Sequence, residues 1–172
     1  MLQLNSVANV GVHRTCTPLY EKYEATPYNT FLDPSDTTNI YSGMVMYRTG
    51  PDTVANAGSV VTVTGAKPFG LSALDRNPNI DDVTQVGVNS WAVWLGGSNA
   101  FFTLTAPAFD TTQAYSVPTN GTRQLLYTNA NGQVTSASGT ASTLGAVSVA
   151  ELIDVISPTQ IVVRLVPFGA TA

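Results

Sequence analysis

From residue 43 onward the chain is a succession of short apolar or β-branched runs, each closed by Gly, Pro, Asn or Asp before a helix could complete its turns. A run of that length is too brief for a stable helix, whereas about five residues suffice for a strand to cross a sheet. The runs occupy residues 43–47, 59–64, 69–74, 83–95, 100–105, 123–128, 133–137, 146–156 and 160–166. Within 83–95 the apolar positions Val86, Val88, Trp91, Val93 and Leu95 alternate, with a bend near Asn89 and Ser90. Asn129, Asn131 and Gly132 separate two β-prone runs, a strong hairpin signal because these residues tolerate positive φ. Residues 149–156 also fit one or two helical turns, but Val and Ile dominate them and favour a strand. The expected fold is all-β: one domain, a β-barrel or β-sandwich of about eight to ten short strands over residues 43–166, with a loose tail at 167–172.

Residues 1–42 differ. Tyr20, Tyr23, Tyr28, Phe31 and Tyr41 are interleaved there with Pro18, Pro27, Pro34 and the acids Glu21, Glu24, Asp33 and Asp36. No period of 2 or 3.6 is sustained, which suits an extended N-terminal arm with brief helical turns at Thr17–Pro18 and near Pro34. Such an arm drapes over its own domain or over a neighbour. Tyr20, Tyr23, Tyr28 and Phe31, together with Trp94 of the body, are therefore the candidate contact residues.

Charge narrows the partners. Charged residues make up 10 % of the chain, against roughly a quarter in an average globular protein. The seven Lys and Arg are scattered singly, so no basic patch exists to neutralise phosphates and no nucleic-acid partner is expected. Between residues 111 and 150 the only charged side chain is Arg123. Interface cores are depleted in charge, so this scarcity hints at assembly. No window approaches the 18 or so apolar residues of a spanning helix, no charged n-region precedes an apolar stretch, and no membrane partner is expected. Cys16 is alone, which rules out an intrachain disulfide and leaves it as a small buried thiol.

No catalytic constellation assembles. His13 is the only histidine, and with Cys16 it supplies two ligands where zinc needs three or four. Asp81 and Asp82 are adjacent, so on an extended chain they face opposite ways. Gly96 and Gly97 lack the Lys and Ser/Thr of a phosphate-cradling loop. Trp91 and Trp94, three apart, face opposite sides of a regular strand, which puts one in a core and leaves the other to stack on a sugar or to anchor a subunit contact. A bend near them that turns both inward to the core is the preferred reading. No catalytic residue, cofactor or metal site is expected, and the chain does not read as an enzyme.

The order of features after residue 43 resembles the head decoration, or capsid cement, proteins of tailed bacteriophages. The likeness is carried by Gly43 leading Met44, Val45 and Met46, by the small-residue strand of Pro68, Phe69, Gly70 and Leu71, and by the hairpin phrase from Gly121 through Leu126 and Tyr127 to Asn131, Gly132, Val134 and Thr135. Leu144, Gly145 and Val147, then Ile161 to Leu165, complete it. The resemblance implies a barrel or sandwich that forms a homotrimer, binds the outside of the head and clamps neighbouring subunits of the major capsid protein after the head expands. It also implies a virion protein, placed on the capsid exterior after assembly in the host cytoplasm. Two other functions fit the residues: a carbohydrate- or receptor-binding module of an adhesion device, and a coat subunit that assembles by itself.

Overall fold

Eleven strands form among the described residues, which are 15–18, 28–60, 68–76, 90–95, 101–117, 119, 121–137 and 147–166 of a computed structural model, and eight of them fall on the apolar runs. They are β1 (Cys16–Pro18), β2 (Tyr28–Leu32), β3 (Val45–Arg48), β4 (Thr53–Asn56), β5 (Pro68–Ser72), β6 (Ser90–Leu95), β7 (Phe101–Thr105), β8 (Leu125–Thr128), β9 (Val134–Thr135), β10 (Ala150–Ser157) and β11 (Gln160–Leu165). One helical turn, α1 (Ala57–Val60), follows β4. The fold is all-β and contains a barrel, as the pattern of runs predicts.

Five strands close that barrel in the order β2-β4-β3-β5-β6, with β6 returning to β2. β2 and β4 run parallel, through Phe31 opposite Thr53 and Leu32 opposite Val54, and the other pairs are antiparallel. The two-residue period of a strand then sorts the side chains. Met46, Val54, Trp91 and Val93 gather with Leu32 and Ile40 in one cluster. Their alternates Val45, Tyr47 and Ala55 point the other way, with Leu71 of β5. These meet Phe102, Leu104, Leu126, Leu152, Ile161, Val163 and Leu165 of a six-stranded sheet ordered β1-β7-β11-β10-β8-β9. The larger core is therefore the joint between barrel and sheet. Trp91 and Trp94 do face opposite sides: Trp91 joins the barrel cluster, and Trp94 packs against the joint.

Three segments depart from the sequence expectation. Within the segment expected as an extended arm over its own domain or a neighbour, Cys16–Pro18 and Tyr28–Leu32 are strands of the two sheets, and Ile40 bridges Arg76. β1 pairs with β7, and Ser42 Oγ accepts the N–H groups of Thr15 at 2.9 Å and Cys16 at 3.2 Å. β2 enters the barrel, where Asp52 O accepts the Phe31 N–H at 2.9 Å and the Thr30 hydroxyl at 2.6 Å. Second, a strand forms over Thr53–Asn56, where no run exists in the sequence, because β3 supplies its ladder. Third, Ser59 and Val60, expected to open a strand, belong to α1. The Asn56 carboxamide accepts the Gly58 N–H at 2.8 Å, a local bond that turns the chain before β pairing can begin. Residues 1–14, 19–27, 61–67 and 167–172 lie outside the described residues, and with them the rest of the arm, most of the 59–64 run and the tail.

The hairpin at Asn129–Gly132 forms as expected. Asn129 Oδ1 accepts the N–H groups of Asn131 and Gln133, each at 3.0 Å, and Gly132 takes φ +82°. On β5, Gly70 permits a different close approach: a Cβ there would fall against the Trp94 carbonyl oxygen and Val93 Cγ1. The oxygen is backbone and cannot swing aside. Gly70→Ala is expected to destabilise the chain by about 1–3 kcal/mol, the usual cost of overpacking, read as a lowered midpoint in thermal melting.

Candidate functional site

Strand addition is one way a β protein holds a partner, and its requirement is a free edge. The barrel has none because it closes. In the six-stranded sheet the β1 edge spends the Cys16 N–H on Ser42, and Pro18 has no N–H to offer. At the other edge Phe109 bridges Val134 of β9, with Val134 N–H bonded to Ala108 O at 3.1 Å and Asp110 N–H to Val134 O at 2.9 Å. Among the described residues, contact with a partner falls to side chains.

β2 presents the side chains suited to it. Thr30 and Leu32 are buried, whereas Tyr28 is 43 % and Phe31 52 % exposed. Tyr28 stands at one end of the strand, edge-on to Phe69 with ring centroids 5.7 Å apart, and the Arg48 guanidinium lies 5.5 Å from the Phe69 centroid. Phe31, toward the other end, borders an open groove of about 380 Å³ shared with Asn29, Leu74, Ser90 and Trp91. Large aromatic side chains left in water on one strand are the usual material of an interface, since each can bury a large area at low entropic cost.

Of the five contact residues expected from sequence, the structure places Tyr28 and Phe31 on β2, three residues apart and so on opposite sides of the strand, both exposed. Tyr20 and Tyr23 lie outside the described residues. Trp94 is half-buried, its ring tilted on Phe102 at 5.4 Å, so much of its stacking surface is used within the chain. Its indole N–H is buried without a hydrogen-bond partner among the described residues. Trp91 is 5 % exposed and donates its indole N–H to Ser72 Oγ at 3.1 Å. Neither indole offers the open face that a sugar platform needs. Phe69 and Arg48 were missed by the sequence reasoning. Arg48 ends a strand and opens a turn, which carries no hint that its side chain meets a ring on β5.

The chemistry of the remaining polar groups is internal. Asp36 is fully buried and accepts the Asn56 N–H at 2.7 Å through one oxygen and the Thr38 N–H and hydroxyl through the other, while Arg76 donates to the Asp36 carbonyl. Glu151 holds Arg164, with Arg123 3.7 Å away. Burial, with the Asp75 carboxylate as a smaller cause, pushes the Cys16 thiol well above its ordinary pKa, which suppresses its thiolate. Tyr47 and Tyr115 are likewise raised, chiefly by burial. Among the described residues no three His, Cys, Asp or Glu lie together as metal ligands, and no helix is long and apolar enough to cross a membrane. His13, Asp81 and Asp82 lie outside the described residues.

A family described as phage cement protein has a model that matches residues 2–172, nearly the whole chain. No curated protein matches.

Proposed function

The chain belongs to the phage cement protein family, and from that premise we propose that it binds the outside of the assembled head and ties neighbouring subunits of the major capsid protein together through the exposed aromatic side chains of β2. Membership alone makes it a structural component of the phage capsid, in a family of structural proteins rather than enzymes. The observation that carries the finer reading is the exposure of Tyr28 and Phe31 on one strand of a body whose sheet edges are closed. A cement protein stabilises its shell by mass action: it binds the assembled lattice and not the dissociated subunits. That task asks for broad side-chain contact and no chemistry.

The same reading has three copies associate on the capsid exterior, after assembly in the host cytoplasm. Linking three contact faces raises the effective concentration of the second and third once the first is seated, so modest single contacts hold firmly. A native mass of three chains in solution supports this, and a monomer at high concentration removes it.

The variant that tests the surface is Phe31→Ser. Truncating an aromatic anchor at an interface costs about 2 kcal/mol or more, roughly a thirtyfold loss of affinity per contact. An exposed position outside the core changes fold stability by only about 0.5 kcal/mol. Binding to undecorated heads is therefore expected to fall by at least about tenfold while the melting temperature stays put. Unchanged binding would remove the Phe31 side of β2 from the contact.

A further inference from the structure

We propose that Arg48 is the point at which this chain grips a carboxylate side chain, Asp or Glu, of the capsid protein it covers. The proposal rests on the reading that the chain binds heads, and it supplies the chemistry of the partner at the Tyr28 end of β2.

Four observations carry it. First, the guanidinium is held in place before any partner arrives: Nε donates to Gly50 O at 3.0 Å, Nη2 donates to Pro51 O, and the group lies 5.5 Å from the Phe69 ring centroid. A cation fixed by two backbone carbonyls and an aromatic face loses little freedom on binding. Second, its charge is unspent. Arg123 and Arg164 flank Glu151, whereas exposed Arg48 makes no ion pair among the described residues. Third, the bonds to Gly50 and Pro51 use Nε and one hydrogen of Nη2, which leaves Nη1 free to donate. That remaining side of the planar fork matches the two oxygens of a carboxylate. Fourth, the cation sits on an aromatic pair, Phe69 with Tyr28 edge-on to it, and Tyr28 is 43 % exposed.

Charge decides the class of partner. The chain carries a net −4, so an acidic side chain is repelled by most of it and finds here an exposed cation that no carboxylate pairs with among the described residues. A polyanion such as nucleic acid needs many phosphate contacts, and one isolated arginine does not supply them. The aromatic wall favours a carboxylate carried next to an apolar residue on a protein surface.

The test is co-sedimentation of the full chain with undecorated, expanded heads over a range of NaCl concentrations, for the wild type, Arg48→Gln, Arg48→Lys and Arg123→Gln. Loss of a positioned charge pair is expected to weaken Arg48→Gln by roughly tenfold at low salt and to flatten its salt dependence. Arg48→Lys keeps the charge but not the fork, so it should recover only part of the affinity, and this intermediate value separates lost charge from lost folding. Arg123→Gln should bind as the wild type does. Equal binding by wild type and Arg48→Gln at every salt concentration overturns the proposal and leaves head binding standing. A wild-type chain that does not sediment with heads overturns both.

Discussion

Phe102→Ala should cost the fold about 3–5 kcal/mol, the range for deleting a buried aromatic side chain. Phe102 is fully buried on β7, between Pro18 of β1 and Val163 of β11, and its ring meets Trp94 of the barrel. It therefore sits in the joint between the two sheets. Removing it deletes contacts from both and leaves a void that neither sheet can fill, because each is fixed by its own ladder. The readout is the urea midpoint with an unchanged slope, the sign that stability rather than compactness has altered. A cost below about 1 kcal/mol would mean that barrel and sheet are held together elsewhere.

The second large effect is expected at Gly43. Its φ is +93°, and a Cβ there would stand 2.9 Å from Cys16 Cβ, 2.9 Å from Leu104 Cδ2 and 3.0 Å from Ala108 Cβ. Gly43→Ala thus adds left-handed strain, about 1–2 kcal/mol, to overpacking of about 1–3 kcal/mol in a dense core. Gly121 provides the control: its φ is +75°, yet a Cβ there meets nothing within 4 Å. Gly121→Ala should show the backbone cost alone. The difference between the two melting shifts measures how tightly β1 is pressed onto the body. Equal shifts would place Cys16 and Leu104 farther from Gly43 than the structure has them.

Most of the body was legible because its strands announce themselves locally. Asn129, Asn131 and Gly132 mark a hairpin whatever surrounds them, and the β-branched residues of β11 leave little choice of conformation. The N-terminal third was not, and the reason is physical. Tyr28 to Leu32 has no apolar period of its own, and it becomes a strand because Asp52 and β6 offer it backbone partners far along the chain. β4 is the same case, since Ala55 and Asn56 are weak strand formers recruited by β3. The surface proposed for contact was legible only in part. Aromatic residues without a core period flagged Tyr28 and Phe31, but Trp94 and Phe102 meet only through tertiary pairing, as do Arg48 and Phe69.

The central proposal is that this chain covers head surface, and the measurement that asks this most directly is the thermal stability of undecorated, expanded heads titrated with the purified chain. On the proposed function it binds the assembled shell alone, so the head's disruption temperature should climb as chain is added and level off when every site is filled. A disruption temperature that stays flat through saturating chain would contradict the account.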